Sequence, residues 1–172
     1  MIYIILAVVI LLVAGAYLLP RHVTVERSVL VEASTAEIFP MVNSLKRGVE
    51  WSPWLKRDPD TRLDFTGPDA GVGAIMEWAS DHKKVGSGRQ EIVASVRDER
   101  VETHLDFGAQ GKGVAWFALG AEGSATRLVW GLEADMGNSP IGRWMGLMMD
   151  KWVGADYEVG LANIKALAEE AS

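Results

Sequence analysis

A chain of 172 residues, 49% of them hydrophobic, is long enough for one domain with a substantial core and a short additional segment. Its net charge of −6 lies entirely beyond residue 20, which argues against a nucleic-acid interface because phosphate recognition needs clustered Lys and Arg. The sequence has no cysteine, so disulfides, thiol nucleophiles and thiolate metal ligands are excluded.

The first 19 residues carry no charge and form an almost continuous apolar run. At about 1.5 Å per helical residue, such a run is long enough to cross a bilayer core of about 30 Å. Tyr3 and Tyr17 lie near its two ends, where interfacial aromatic side chains are common. We therefore predict a transmembrane anchor over residues 1–20 and one folded domain over residues 21–172.

A cleaved signal peptide is the alternative for this segment, because residues 14–16 (Ala-Gly-Ala) are small enough for a peptidase site. However, no Lys or Arg precedes the apolar run, and the run is longer than the usual hydrophobic region of a signal peptide. Arg21 and Arg27 follow the run, so the positive-inside rule favours a cytoplasmic domain. The expected localisation is a single-pass membrane protein with its domain in the cytoplasm.

The next part of the chain predicts a strand followed by short helices. Residues 22–31 alternate and are rich in β-branched side chains, which favours a strand. Ser34 or Thr35 can cap a helix that Pro40 keeps short, and a second helical piece is predicted over residues 43–49.

Beyond residue 58, stretches of strand-like sequence alternate with turns rich in Gly, Pro and Asp. Strands are predicted over residues 62–66, 73–80, 88–97, 100–107, 113–121 and 125–135. Six successive strands with tight connections indicate an antiparallel meander.

The last segment predicts one long helix over residues 139–169. Ser139 followed by Pro140 is typical of a helix start. Placed at about 100° per residue, one side of the helix collects an apolar stripe. The stripe contains Ile141, Met145, Met148, Met149, Trp152, Val159 and Leu167. We interpret it as the face that covers the sheet, interrupted by two polar positions, Asp156 and Asn163.

This order of elements predicts an α+β fold in which a curved seven-strand antiparallel sheet wraps around the long C-terminal helix. Only that helix is long enough to cover one face of the sheet. A curved sheet around a single helix tends to leave space between the two layers. The sequence therefore predicts an apolar cavity there.

Seven tryptophans are many for a domain of this size. By strand parity Met76 and Trp78 share a face, while Phe117 and Trp130 lie on faces with other apolar residues. Ordinary core packing is one interpretation of these residues; a cavity lining with indole N–H donors is the other. Trp51 and Trp54 could form a lid over the cavity or touch a membrane interface.

No catalytic or metal motif accompanies these residues. His22, His82 and His104 show no metal-ligand spacing, and His104 is expected on a solvated strand face. No Ser lies in a GxSxG turn, and the strand carboxylates also suit a solvated face. We predict no catalytic residues, no metal and no cofactor.

Several short segments, in their order along residues 22–169, carry a family resemblance. They are residues 25–28 (VERS), 33–39 (ASTAEIF), 51–54 (WSPW), 58–59 (DP), 71–74 (GVGA) ahead of Trp78, 86–88 (GSG), 123–130 (GSATRLVW) and 157–165 (YEVGLANIK). In these the chain resembles the SRPBCC superfamily, the START and birch-pollen-allergen helix-grip fold. Within it, the chain is similar to the bacterial polyketide cyclase-like group. The apolar segment at the N-terminus lies outside the resemblance.

The resemblance implies a cavity for a hydrophobic ligand between the sheet and the long helix, with no shared catalytic motif. The predicted function is therefore membrane-anchored binding of a small hydrophobic or lipid-like ligand. The predicted ligand-binding residues are Trp54, Met76, Trp78, Phe117, Trp130, Met145, Met149, Trp152, Asp156 and Asn163. Two alternatives stay open: a cyclase- or hydrolase-like enzyme with Asp156 as acid or base, and a protein-interaction module of the Hsp90-activator type that uses the outer sheet face.

Overall fold

The computed structural model describes residues 1–108 and 111–171. In chain order its elements are α1 (Ile2–Ala16), β1 (His22–Val31), α2 (Thr35–Val42), α3 (Gly48–Trp51), α4 (Pro53–Arg57), β2 (Arg62–Thr66), β3 (Ile75–Ala79), β4 (Ser87–Val96), β5 (Arg100–Asp106), β6 (Lys112–Glu122), β7 (Ala125–Asp135) and α5 (Pro140–Ala171). From β1 onward this is the predicted order of a strand, short helices, six strands and a long helix. The predicted α+β helix-grip architecture is confirmed.

The seven strands form one antiparallel sheet in the order β1-β7-β6-β5-β4-β3-β2. Strands β2 to β7 are the predicted meander, and β1 pairs with β7 along its whole length. On β5, the buried Val101 and Thr103 alternate with the exposed His104, as a sheet with one solvated face requires. The other face carries the core.

The C-terminal half of α5 covers that inner face. Its buried side chains are Tyr157, Leu161, Ile164 and Ala168, at spacings of four and three residues that place them on one side of a helix. Along the sheet, α5 packs mainly against the edge strand β1. Two glycines of this half allow close approach, because a Cβ at Gly160 would lie 2.5 Å from Cζ3 of Trp130 and one at Gly154 would collide with the guanidinium of Arg27.

The inward face of α5 differs in phase from the predicted stripe. Met145, Trp152 and Val159 were placed on the covered side by the sequence pattern, but they are 50%, 51% and 51% exposed. The inward positions include Gly146, Gly154 and Gly160, which are buried but contribute nothing to an apolar pattern. The exposed Met and Trp side chains therefore dominated the pattern, and that part of the prediction is wrong.

The N-terminal apolar run forms a shorter helix than predicted. Helix α1 has 15 residues and ends at Ala16. At about 1.5 Å per residue this helix is about 22 Å long, less than the roughly 30 Å of a bilayer core. Among the residues that the structure describes, no helix combines the length and apolar character needed to cross a membrane. The predicted single-pass membrane localisation is therefore wrong.

Helix α1 packs against the N-terminal half of α5 instead. The indole Nε1 of Trp144 donates a hydrogen bond to the carbonyl oxygen of Leu12 at 3.1 Å. Arg143 lies 5.8 Å from the ring centroid of Tyr17 and donates to the carbonyl oxygen of Leu19 at 2.7 Å. These contacts fix α1 and the connection to β1 on α5.

The short helices between β1 and β2 differ in part from the prediction. As predicted, Ser34 precedes α2, and its N–H and hydroxyl both donate to the carboxylate of Glu37, which lowers the pKa of that carboxyl group. The second helical piece was predicted over residues 43–49, but the structure has two one-turn helices, α3 and α4, further along the chain. Pro53 at the first position of α4 separates them.

Candidate functional site

Five aromatic rings fill the space between the sheet and α5. They belong to Trp51, Trp54, Phe117, Trp130 and Tyr157. The Trp130 ring is central: its centroid lies 3.9 Å from the Tyr157 ring and 4.8 Å from the Phe117 ring, stacked in both cases. The rings of Trp51 and Trp54 meet it edge-on at 5.3 and 5.8 Å. We call these five residues the aromatic cluster.

Each layer of the fold contributes to the aromatic cluster. Phe117 and Trp130 are directly opposite each other on β6 and β7, so their side chains project from the same face of the sheet. Tyr157 comes from the buried face of α5. Trp51 and Trp54 come from α3 and α4, which pack on α5. Two tryptophans of the short helices thus occupy the space that the sequence predicted as a cavity.

Two polar residues of α5 bind these short helices. The carboxylate of Asp156 accepts two hydrogen bonds from the guanidinium of Arg57 at the end of α4, at 2.6 and 3.2 Å. The side chains of this ion pair are only 30% and 21% exposed, and the interaction raises the pKa of Arg57. The amide of Asn163 donates to the carbonyl oxygen of Trp51 at 2.9 Å.

Two hydrogen-bond donors of the aromatic cluster have no partner among the described residues: the indole N–H of Trp130 and the hydroxyl of Tyr157. Their residues are 6% and 2% exposed, and burial raises the pKa of the Tyr157 hydroxyl. Among all the residues that the structure describes, every fully enclosed side-chain N or O atom has a hydrogen-bond partner. The two donor atoms are therefore not fully enclosed, and each can bind an acceptor.

The structure separates the predicted ligand-binding residues into three groups. Trp54, Phe117 and Trp130 belong to the aromatic cluster, and Asp156 and Asn163 lie beside it. Met149 is half-buried at the border of the core. The remaining four are not part of the aromatic cluster: Met76, Trp78, Met145 and Trp152.

None of those four residues is one of the cluster rings, although Met76 belongs to the same hydrophobic core and Trp78 packs against that core. Met76 is a buried core residue of β3. Trp78 packs edge-on against Phe107 at 5.8 Å, and its N–H donates to the carbonyl oxygen of Val85. Met145 and Trp152 lie on the exposed side of α5.

The predicted ligand-binding residues omit three residues of the site: Trp51, Tyr157 and Arg57. The sequence indicated Trp51 only as part of a lid or a membrane contact. Tyr157 could have been found, because it begins the 157-161-164-168 spacing that marks the true inward face. Arg57 could not, since its partner lies 99 residues away in the sequence.

Two pockets lie outside the interior. One of about 20 Å³, room for about one water molecule, lies between Leu45 and the turn after β2. The other is an entirely apolar groove of about 310 Å³ between α1 and α5, lined by Val9, Leu12, Val13, Pro140, Ile141 and Trp144. Over residues 1–108 and 111–171, no three His, Asp or Glu side chains are grouped so that they could hold a metal ion.

A curved sheet wrapped around a long helix, with aromatic side chains between them, defines the helix-grip class of fold. A family model described as polyketide cyclase / dehydrase and lipid transport matches residues 22–169. The chain belongs to this family, so the resemblance found in the sequence is confirmed at that level. A sequence comparison with curated proteins finds no match.

Solved structures with the same fold are distant in sequence. A solution structure from Thermobifida fusca is 16% identical with a TM-score of 0.66, covering 86% of this chain and 93% of that one. Truncated norcoclaurine synthase from Thalictrum flavum is 15% identical with a TM-score of 0.64, covering 85% and 92%. The di-domain ARO/CYC protein StfQ of the steffimycin biosynthetic pathway is 13% identical with a TM-score of 0.65, covering 87% of this chain and 51% of that one.

Proposed function

We propose that the chain binds a small hydrophobic or amphipathic molecule at the aromatic cluster, between the sheet and α5. One observation carries the proposal: in the part of the chain that the structure describes, the indole N–H of Trp130 and the hydroxyl of Tyr157 have no hydrogen-bond partner, and both atoms keep some access to solvent although their residues are more than nine-tenths buried. Indole N–H and phenol O–H groups among apolar rings normally find a hydrogen-bond partner, so two accessible donors at this place suit a ligand oxygen.

In this mechanism, apolar burial supplies the affinity. Each Å² of apolar ligand surface removed from water contributes about 25 cal/mol before the cost of immobilisation. The rings of Phe117, Trp130 and Tyr157 provide flat apolar surface, and the two donors orient the polar end of the ligand. Because Trp51 and Trp54 fill the space, the ligand enters only when α4 moves and withdraws the Trp54 ring.

The predicted site residues have different roles in this proposal. Trp54 is the ring that the ligand replaces, and Met149 extends the site along α5. Asp156 and Asn163 hold the short helices and do not contact the ligand head directly. A role for Met145 or Trp152 would require a second site on the outer side of α5, and one for Met76 or Trp78 a site that extends along the sheet.

The family supports the class of ligand. Its description includes lipid transport and cyclase activity, and two structures with the same fold are an ARO/CYC protein and norcoclaurine synthase. An enzymatic role of Asp156 is less well supported, since both oxygens of its carboxylate are bound to Arg57.

The test uses two fluorescent naphthalene probes of similar size. Prodan carries a ketone that can accept a hydrogen bond, whereas N-phenyl-1-naphthylamine has no carbonyl group. We expect Tyr157→Phe, which removes only the hydroxyl, to weaken prodan binding about tenfold, the effect of a hydrogen bond worth about 1.4 kcal/mol. Binding of N-phenyl-1-naphthylamine should change less than twofold.

Trp152→Ala is the matched control on the exposed side of the same helix, and it should leave both probes unaffected. If Trp152→Ala abolishes binding and Tyr157→Phe does not, the site lies on the outer side of α5. If neither probe binds, the proposed function is wrong.

A second candidate function, a protein-interaction module, is favoured by the apolar surface outside the cluster. Most of α1 and the side chains of Ile141, Trp144, Met145, Met148 and Trp152 are exposed. A contiguous apolar surface of this extent is typical of interaction sites. It lies on two helices and not on the outer sheet face, where the sequence placed it. Light scattering over a concentration series, with Trp152→Ser as the disrupting variant, tests whether a second copy binds there.

A further inference from the structure

We propose that the ion pair between Arg57 and Asp156 is a latch that holds α4 closed over the aromatic cluster, and that its opening controls ligand entry. This inference rests on the proposed function and concerns the same site. In this role, Arg57 and Asp156 control how fast a ligand reaches the aromatic cluster, and they do not contact the ligand.

Helix α4 cannot hold its position through its own stability. It has five residues and α3 has four, so each is about one turn. Isolated helices of this length are unstable in water, because the first turn costs more conformational entropy than its hydrogen bonds return. Tertiary contacts must therefore keep α4 over the cluster.

Those contacts are unevenly distributed over residues 51–58. Trp51, at the end of α3, is 7% exposed, donates from Nε1 to the carbonyl oxygen of Met41, and accepts from Asn163. Asp58, just after α4, accepts a hydrogen bond from the hydroxyl of Ser80. The segment is thus fixed on both sides of α4.

Between these fixed points, α4 contains the buried Pro53 at its first position and two further side chains that bind the rest of the site. The ring of Trp54 packs edge-on against Trp130 and Tyr157, at 5.8 and 6.2 Å, and is only partly buried. Arg57 pairs with Asp156. Ser52 and Asp58 flank α4 in extended backbone conformations and can act as the two pivots. Rotation of α4 about them would remove the Trp54 ring from Trp130 and Tyr157.

The ion pair is suited to this role because most of its surface is shielded from solvent. Both side chains are mostly out of solvent, so the attraction between them is stronger than that of a surface pair. Removing one partner leaves the other charge without its compensation next to aromatic rings. The Trp54 ring, by contrast, is apolar, and its contacts with Trp130 and Tyr157 can be replaced by ligand surface.

The first experiment removes the latch. In Arg57→Gln we expect association of prodan, measured by stopped-flow fluorescence, to become about tenfold faster, since a latch worth about 1.4 kcal/mol changes the open population tenfold. The amides of Lys56 and Asp58, which are hydrogen-bonded to Ser52 and Trp54, should exchange with deuterium faster by a similar factor.

The matched control is Arg47→Gln. Arg47 pairs with Glu50 within the same region and does not reach α5, and its loss should change the association rate less than twofold. Equal acceleration in both variants would overturn the latch, because it would reflect general loosening of the segment.

The second experiment locks the latch. The chain has no native cysteine, so Arg57→Cys together with Asp156→Cys can be linked selectively by a short bis-thiosulfonate reagent. We expect the linked protein to take up prodan at least tenfold more slowly, and reduction to restore fast uptake. Each preparation serves as its own folding control, because circular dichroism is recorded before and after reduction.

The outcomes separate the two proposals. Binding that is sensitive to Tyr157→Phe but proceeds equally fast in linked and reduced protein would overturn the latch and leave the proposed function intact. Absence of probe binding in every form would overturn both. Should Arg57→Gln not fold, the comparison of linked and reduced protein decides.

Discussion

The two halves of α5 are similar in apolar content and opposite in environment. In the first half, Ile141 is 73% and Met145 50% exposed, whereas in the second half Leu161 and Ile164 are 2% and 0% exposed. The second half lies over the sheet, while the first half contacts α1 and the strand β1 through its small residues and leaves its large apolar side chains exposed. The difference teaches that the neighbours of a helix, more than its own composition, determine which face is buried.

The largest expected effect comes from the same substitution made in each half. Ile164→Ala should lower the free energy of unfolding by about 2–5 kcal/mol, because it leaves a cavity in the core. Ile141→Ala, at a site that is 73% exposed, should change it by less than about 0.5 kcal/mol. Urea unfolding at neutral pH measures both. Similar losses in the two variants would mean that the first half is buried in solution.

A smaller effect is expected where the second half approaches the sheet most closely. Gly160→Ala would place a Cβ 2.5 Å from the Trp130 ring, which is held between Tyr157 and Phe117 and cannot move freely. Overpacking of about 1–3 kcal/mol should outweigh the helix-propensity gain of about 1 kcal/mol. Thermal unfolding measures the net loss. Gly120→Ala, where a Cβ meets no atom within 4 Å, is the control, and an equally destabilised control would refute the packing argument.

Arg27 links the two halves and makes part of the stability depend on pH. It pairs with Asp150 of the first half and Glu158 of the second, at 2.9 and 2.8 Å, and the hydrogen bond lowers the pKa of Asp150. Because the pKa of Asp150 is lower in the folded protein than in the unfolded chain, where it is about 3.9, the ion pair stabilises the fold at pH values above 3.9. This stabilisation is lost as the pH falls through the pKa of the folded protein.

In Arg27→Gln we therefore expect lower stability at pH 7 and a smaller further loss between pH 5 and pH 2, measured as urea midpoints. Arg97→Gln is the control, since the Arg97 side chain is 90% exposed and its pair with Asp98 is long at 3.7 Å. A variant whose acid-induced loss equals that of the unsubstituted protein would contradict the linkage.

The smallest effect is expected where α1 meets the first half. Trp144→Phe removes the N–H that binds the carbonyl oxygen of Leu12 but keeps an aromatic ring. We expect the free energy of unfolding to change by less than about 0.5 kcal/mol, while amide exchange in α1 becomes severalfold faster. Trp152→Phe, on the exposed side without such a bond, should leave α1 unchanged. Unaltered exchange in Trp144→Phe would show that other contacts hold α1.

Local signals account for what could be predicted from the sequence. The bounds of β1, β2 and β7 match the prediction, because alternation and turn residues act over a few positions. The helix start at Ser34 with Glu37 is equally local. The phase of α5 was predicted wrongly, since glycines occupy part of its inward face and the exposed Met and Trp side chains outweigh the weaker 157-161-164-168 spacing.

The candidate site shows the same limit. Trp54, Phe117 and Trp130 were predicted from strand parity and aromatic content, and they do converge. The Arg57–Asp156 pair depends on where α4 packs, which no periodicity encodes. The end of α1 at Ala16 was also missed, because an uninterrupted apolar run gives no signal for where its helix stops.

The stacking of Trp130 between its neighbours has an optical consequence. The indole centroids of Trp51 and Trp54 lie 5.3 and 5.8 Å from that of Trp130, so we expect the electronic transitions of the three rings to couple. Movement of Trp54 away from this set would change the circular dichroism of the aromatic bands without any added label. Near-ultraviolet circular dichroism can therefore distinguish the closed position of α4 from an open one in the unlabelled protein.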